Sequence, residues 1–186
     1  YPREFTNIEK IADTPEAKTV LITATTQNLD AKPIDGLCEL QYELTIRPDT
    51  PALLLTTRSM NASDADQKIG PNYGWLGCPY YHTPAGKAEW SSGGDKARYF
   101  TIGSPGWLWL APKGDGPGLL WASSDRFGEF MGGSILLYGP SGTFKPGEYS
   151  RMDMAFAAAE SPEEAKQIYD DLIEKGLLAP PANQGG

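Results

Sequence analysis

The pattern of apolar and polar positions predicts a chain made mainly of strands. The segment KTVLITATTQN, from Lys18 to Asn28, is rich in β-branched residues, which suit a pleated and half-buried surface. Two further apolar runs, Leu40 to Ile46 and Ala52 to Thr57, are separated by RPDTP, whose prolines and aspartate favour a turn. We therefore expect these two runs to pair as antiparallel strands.

The later apolar runs continue this pattern. Each ends at Gly, Pro, Asp or Ser, and they read ARYFTIG, GWLWLAPK, GLLWASS, GGSILLYGP and EYSRMDMAFAAA. Short strands that alternate with turn residues are typical of an all-β sandwich or barrel. The prediction is a mainly β fold, an antiparallel β-sandwich with one C-terminal α-helix.

Only the segment SPEEAKQIYDDLIEKG has a helical pattern. Ser161 stands at the N-cap, Pro162 at the first helical position and Glu164 three residues after the cap, and Gly176 follows the end. Five residues at helical spacing form one apolar face: Ala165, Ile168, Tyr169, Leu172 and Ile173. We expect a helix over about 161–176 that packs on the sandwich, followed by a loose tail over 179–186.

Composition indicates a single domain and a neutral ligand. A chain of 186 residues with 40% hydrophobic residues buries one core, so we expect one domain over 1–186. The net charge of −8 argues against nucleic acid or an anionic membrane surface as partner, because both reward a basic face. No apolar run approaches the roughly 20 residues that span a bilayer.

The two cysteines bear on the cellular compartment. An even pair in a Gly/Pro-rich β chain favours one disulfide between Cys38 and Cys78, as in an exported protein. Two buried free thiols are the alternative. With the bridge, we expect a secreted or periplasmic protein.

The connection from Asn61 to about Arg98 is long and carries many rings. Disordered segments avoid aromatic residues, so an ordered functional loop is expected. Its central part, GCPYYHTPAGKAEW, holds His82, the one histidine of the chain. Imidazole titrates near neutral pH, so His82 with Tyr80, Tyr81 and an acid such as Glu89 could transfer protons. A histidine that anchors the loop by hydrogen bonds is the alternative.

Rings that could stack against sugars are the clearer signal. Trp75, Tyr80, Tyr81 and Trp90 lie in this loop, and flat rings stack on the apolar faces of sugar rings. Strand alternation sends Trp107 and Trp109 to one face, where we expect core.

Two groups of oxygen-bearing side chains are weaker candidates. Asp125, Glu129 and Glu148 lie in or near predicted turns and could supply the carboxylate pair that glycoside cleavage needs. The run NASDADQ clusters four residues that could hold a structural calcium ion: Asn61, Ser63, Asp64 and Asp66. A solvated turn is the alternative for this run, which lacks EF-hand spacing.

Two stretches resemble a known family. YELTIRPDTPALLLTTRSMNAS and LLYGPSGTFKPGEYSRMDMAFAAA, which together cover about a quarter of the chain, are similar to segments of galactose-mutarotase-like supersandwich domains of carbohydrate-active proteins. The resemblance implies a carbohydrate ligand without choosing a reaction. A single histidine cannot fill both His roles of the epimerases. A lyase of this type would need a proton abstractor, Tyr81 or His82, and an arginine to neutralise a uronate, Arg98 or Arg126.

The predicted function is a carbohydrate-binding or accessory domain, without a cofactor, that could be part of a larger polysaccharide-active protein. The aromatic loop would bind an oligo- or polysaccharide. The alternatives are a polysaccharide lyase or glycoside hydrolase that uses His82 and Tyr81 or a carboxylate pair, and a structural or protein-interaction domain.

Overall fold

The computed structural model describes residues 2–27, 38–70, 73–88, 90, 103–130 and 133–181. Within them the chain is mainly β and antiparallel with a single C-terminal helix, a β-sandwich-like fold, which confirms the predicted fold class. The elements are β1 Pro2–Asp13, β2 Lys18–Thr26, β3 Cys38–Ile46, β4 Leu53–Asn61, β5 Gln67–Ile69, β6 Tyr73–Gly77, β7 Tyr81–Thr83, β8 Gly86–Ala88, β9 Trp107–Leu110, β10 Gly118–Ser123, β11 Arg126–Phe130, β12 Ser134–Tyr138, β13 Gly142–Phe144, β14 Tyr149–Ala159 and α1 Pro162–Glu174.

The chain divides into two compact units. The first, the sheet unit, comprises 1–49, 54–72 and 139–152, and the second, the sandwich unit, comprises 50–53, 73–138 and 153–186. The sheet unit holds β1, β2, β3 and β4 as successive antiparallel neighbours, together with the small ribbon in which β13 pairs with β5. The predicted pairing of the runs around Leu40–Ile46 and Ala52–Thr57 is thereby confirmed.

Strand β1 is not predicted from the sequence, and its register explains why. Its apolar residues Phe5, Ile8 and Ile11 are three apart, whereas a regular strand shows a period of two. Two of its register shifts follow Phe5 and Lys10. Such bulges add a residue on one strand and re-aim the side chains, so the spacing of three is compatible with a strand here.

The sandwich unit has three layers, which are a small sheet, a middle sheet and helix α1. The sheet in the middle runs β14, β10, β9, β7, β8, and the small sheet runs β11, β12, β6. Trp121, which is fully buried, points from β10 to the small sheet and meets the Phe127 ring edge-on at 5.3 Å. On the opposite face of β9, Trp109 donates from Nε1 to the carbonyl of Ala159 at 2.9 Å. Trp107 and Trp109 are both buried, which confirms that they belong to the core.

Helix α1 begins and ends as predicted. The backbone N–H of Glu164 donates to Ser161 Oγ at 3.2 Å, and the Glu164 carboxylate accepts from the N–H of Glu160, the residue before the cap, at 2.6 Å. Gly176 follows the end with φ of 65°, a left-handed conformation that glycine adopts at little cost. Ala165 and Leu172 are fully buried, so the predicted face is the packed face.

The structure corrects two predictions. Cys38 and Cys78 are free thiols, so the predicted disulfide is wrong. Cys78 is buried in the sandwich unit beside Gly133, whose carbonyl accepts its N–H, whereas Cys38 belongs to the sheet unit, where it opens β3 opposite Asn61. Burial raises the pKa of the Cys78 thiol to about 11, so this thiol stays protonated near neutral pH.

The second correction concerns the connection after Asn61, which is predicted as one long loop. It is ordered, but β5, β6, β7 and β8 occupy most of it between Gln67 and Ala88. These strands are three to five residues long and separated by short turns. The rings of this segment therefore stand at fixed strand positions.

Candidate ligand-binding site

Strand β7 separates the two residues that are predicted to act together. Neighbouring residues of a strand point to opposite faces, and Tyr81 and His82 are neighbours in β7. Tyr81 contacts Glu129 of the small sheet, whereas His82 contacts Trp109 on the helix side. The two side chains do not share a site.

Tyr81 belongs to a buried pair between the sheets. It is 2% exposed, and its hydroxyl donates to Oε1 of Glu129, itself 4% exposed, at 2.6 Å. Trp90 meets the Tyr81 ring edge-on at 4.8 Å and donates from Nε1 to the carbonyl of Pro79 at 2.7 Å. Burial, followed by the hydrogen bond with Glu129, raises the pKa of Tyr81, so the phenol keeps its proton.

His82 lies in a ring cluster on the helix side. Its ring centroid is 5.6 Å from that of Trp109 and 6.0 Å from that of Tyr80. The Lys87 ammonium stands 4.1 Å from the centroid of the Tyr80 ring, and Tyr80 is 36% exposed. Burial lowers the pKa of His82, the Lys87 charge adds to this, and Glu163 opposes it. The imidazole is therefore neutral near neutral pH.

The outer face of the small sheet brings two other predicted residues together. Trp75 in β6 lies opposite Leu136 in β12, which lies opposite Gly128 in β11. The next position on the same face pairs Tyr138 with Arg126. We call these five residues the Trp75 face.

Trp75 stands out on this face because it is 61% exposed in the middle of a strand. Its neighbour Gly74 points inward, where an added Cβ would lie 2.6 Å from the ring of Trp121. Only a glycine fits there, so β6 lies close against the core. The alternation of the strand then points the indole of Trp75 outward.

Tyr138 was missed in the sequence, although the signal is present. In β12, whose sequence is SILLY, alternation puts Ser134, Leu136 and Tyr138 on one face. In β11, whose sequence is RFGEF, it puts Arg126 and Gly128 on one face. What alternation does not supply is the register that aligns β12 with β6 and β11.

The remaining predicted ligand residues are placed as follows. Arg126 is exposed on β11. Arg98 and Glu89 lie outside the described residues.

The predicted carboxylates do not form one group. Asp125 instead lies near the charge of Asp153, which the sequence did not suggest. Glu129 is buried against Tyr81, and Glu148, in the sheet unit, accepts from the N–H of Lys145 at 2.8 Å. Asp125 is half-buried in the turn after β10, where Ser123 Oγ donates to the carbonyl of Asp153 at 2.7 Å. Burial first, then the nearby charge of Asp153, raises the pKa of Asp125 to about 6.

The predicted calcium residues form a tight turn. Asn61 is buried, and its Nδ2 donates to the carbonyls of Ala65 and Phe144 at 2.8 and 2.9 Å. Its Oδ1 accepts from the hydroxyl of Ser63 at 2.7 Å. Asp64 and Asp66 are exposed. Among the described residues, no three His, Cys, Asp or Glu side chains group as a metal site would need. Calcium binding stays a prediction.

In the part of the chain that the structure describes, no helix is both long and apolar enough to cross a bilayer.

No protein-family model matches the chain, and no curated protein matches it. Three solved structures are similar in the course of the chain, and the first is a galactose mutarotase related enzyme from Lactobacillus acidophilus, with 11% identity, a TM-score of 0.49, and a match over 86% of this chain and 73% of that one. The second is an aldose 1-epimerase candidate from Klebsiella pneumoniae, with 9% identity, a TM-score of 0.47, and a match over 90% of this chain and 57% of that one. The third is an aldose 1-epimerase candidate from Escherichia coli K12, with 6% identity, a TM-score of 0.46, and a match over 83% of this chain and 69% of that one. These neighbours are of the galactose-mutarotase-like kind that the sequence resembles. At these identities and TM-scores, the likeness says nothing about activity.

Proposed function

We propose that the chain is a carbohydrate-binding or accessory β-sandwich domain that takes a glycan on the Trp75 face. The observation that carries the proposal is the indole of Trp75, which is 61% exposed at the centre of a short strand. An indole held in water by a strand of a sheet adds little to the stability of the fold, and its open ring is available for stacking. A flat indole suits the apolar face of a sugar ring.

Burial favours this face over the predicted loop. Tyr81 has almost no exposed surface, and the N–H of Trp90 is engaged with Pro79. Tyr80 is partly exposed, but the Lys87 ammonium stands over its ring. A sugar stacking there would compete with this cation, whose contact with a tyrosine ring is worth about 0.5–1 kcal/mol at an exposed site. Tyr80 is thus the weaker platform.

The polar groups of the Trp75 face suit a hydroxyl-rich ligand. Arg126 is exposed two strands across and two residues along from Trp75, a separation of about 12 Å. Its guanidinium carries five N–H donors, which match sugar hydroxyls or a uronate carboxylate. Leu136, on the strand between them, is 7% exposed and Gly128 is buried, so the contacts to a ligand would come from Trp75 and Arg126 themselves.

Calorimetry across a panel of neutral and uronate-containing oligosaccharides tests the proposal. Trp75→Ala is expected to weaken binding of the best glycan by about 10- to 100-fold, roughly 1–3 kcal/mol, because the stacking surface is lost. The matched control is Tyr80→Ala, which removes a partly exposed ring on the helix side and should bind within about threefold of wild type. The proposal fails if no glycan binds, or if Trp75→Ala binds like wild type.

Asp125 supports a second candidate, a glycan-active hydrolase. A carboxyl whose pKa is raised by burial and by the charge of Asp153 would suit the general acid of glycoside cleavage, which also needs a second carboxylate. A reducing-sugar assay on the same panel tests it. Asp125→Asn would lower the rate by about 10²- to 10⁴-fold, whereas His82→Gln would leave it unchanged. Release of unsaturated products that depends on His82 would instead favour the lyase alternative.

Residence outside the cytoplasm, in a larger polysaccharide-active protein, is part of the proposal. With free thiols at Cys38 and Cys78, a disulfide no longer supports it. The proposed location rests on the proposed ligand alone, because polysaccharides occur mainly outside the cell.

A further inference from the structure

Strand β3, which lies between β2 and β4 in the sheet unit, has no buried residue among those described. In β3, every residue from Cys38 to Thr45 is only half-buried, and Ile46 is exposed. Residues of a strand alternate between the two faces, so both faces of the sheet retain exposed surface at β3. The ribbon of β5 and β13 joins the sheet at the far end of β4, where Asn61 Nδ2 donates to the carbonyl of Phe144.

One face of this sheet is apolar. The register places eight apolar residues of β2, β3 and β4 on it: Val20, Ile22, Ala24, Leu40, Tyr42, Leu44, Ile46 and Leu55. In β1, the bulge after Phe5 places both Phe5 and Ile8 on this face, where they pair with Ala24 and Ile22 of β2. We call these ten residues the apolar face. The opposite face carries Glu39, Gln41, Glu43 and Arg58, with an ion pair of 2.9 Å between Arg58 and Glu43.

The apolar face is costly to leave in water. Phe5 is 61% exposed, Ile8 is 68% exposed and Ile46 is 55% exposed. A sheet with one apolar face buries that face against another layer, and large exposed apolar patches mark interaction surfaces. This reasoning is independent of the Trp75 face and of any glycan.

We propose that the apolar face is the interface with a second copy of the chain, packed face to face. Charge is the first reason. The chain holds 24 acidic residues, yet the one carboxylate at a described paired position of this face is Asp13, at its end, where Lys10 and Lys18 form ion pairs with it. In a two-fold dimer the same surface meets itself, so a face whose one carboxylate is already paired with lysines is the one that an acidic chain can use.

Area is the second reason. The face is four strands wide, with about 4.8 Å between strands, and nine residues long, with about 3.3 Å per residue. Its footprint is therefore about 14 by 30 Å, roughly 400 Å² in plan. Side-chain relief makes the accessible area larger, which brings it near the lower end of specific interfaces, below about 800 Å² per partner. The face therefore suits a weak, concentration-dependent dimer.

A groove at one end of the sheet continues the apolar surface. It has a volume of about 260 Å³ and is lined by Thr14, Pro15, Ala17, Ile46 and Pro48, with Lys18 and Arg47. Both cations are held by carboxylates, Lys18 by Asp13 at 2.7 Å and Arg47 by Asp49 at 2.9 Å. Their charges are thus largely balanced, and they do not prevent a second copy from approaching.

Sedimentation velocity of the full chain from about 1 to about 300 μM tests the proposal, a range chosen for a weak interface. Wild type is expected to shift from monomer to dimer within this range. Ile8→Glu should raise the dimer dissociation constant at least about tenfold, because it buries a carboxylate in the interface. Asn7→Glu is the matched control, since it adds the same charge at the neighbouring exposed position on the opposite face, and it should dimerise like wild type.

Circular dichroism at the lowest concentration shows whether each variant is folded, and Phe5→Glu replaces Ile8→Glu if the latter is not. Wild type that stays monomeric throughout overturns the proposal. So does a dimer that Ile8→Glu and Asn7→Glu weaken equally. Because the glycan assays use Trp75, their failure would leave this result unaffected.

Discussion

The sheet unit and the sandwich unit are built from similar strands but differ in what covers them. In the sandwich unit Leu120, Trp121 and Leu137 have no exposed surface, because a second sheet and a helix lie over the two faces of the middle sheet. In the sheet unit no residue of β3 is buried. The same alternation of side chains thus produces a closed core in one unit and an open face in the other.

This difference shows what alternation along a strand specifies. It decides which side chains share a face, because successive residues point to opposite sides. Whether the face is covered depends on strands that are distant in the sequence. Surfaces available to partners are therefore sought where described strands keep large apolar side chains in water, as Phe5 and Ile8 do on the apolar face and as Trp75 does on the small sheet.

A matched pair of leucine truncations tests the difference in coverage most strongly. Leu137→Ala should cost about 2–5 kcal/mol of unfolding free energy, because it opens a cavity in a closed core. Leu44→Ala should cost about 1 kcal/mol in dilute protein, because its side chain is already partly in water. Urea denaturation of both variants at low concentration measures this, and equal costs would contradict the contrast between the units.

The buried pair of the sandwich unit gives the next largest effect. Tyr81→Phe removes the donor at 2.6 Å from Glu129 and should cost about 1–3 kcal/mol, since it leaves a buried carboxylate with one donor fewer. Tyr80→Phe, at the adjacent and partly exposed position, should cost less than about 0.5 kcal/mol. Thermal denaturation compares them. A neutral Tyr81→Phe would mean that the pair adds no stability.

The smallest effect is the pH dependence from Asp125. Its pKa is about 6 in the folded chain and 3.8 without the fold, so the folded state binds more protons between these values. Stability from this group is present below about pH 4 and falls as the pH rises through about 6. Asp125→Asn should therefore gain about 1 kcal/mol over wild type at pH 7, a value reduced because the group is partly solvated, and gain little at pH 4.

Urea denaturation of wild type and Asp125→Asn at both pH values measures this gain. Parallel pH profiles of the two proteins would show that Asp125 titrates normally.

Local features were predictable from the sequence, and long-range ones were not. The cap at Ser161 and the end at Gly176 depend on residues within one helix, and the sequence predicted both. The separation of Tyr81 from His82 follows from alternation, but only once their segment is known to be a strand. The contact of Asp125 with Asp153 depends on the register of β10 against β14, and a disulfide depends on distance. Composition specifies neither the register of two strands nor the distance between two cysteines.

The central claim is that a glycan binds the outer side of the small sheet and not the segment around Tyr80. Hydrogen exchange of the full chain, with and without the best-binding glycan of the panel, tests it most directly by locating the protected backbone. The account predicts added protection over 73–77 and 134–138, with 80–88 unchanged. Protection confined to 80–88 would contradict it and return the site to the ring cluster of Tyr80 and His82.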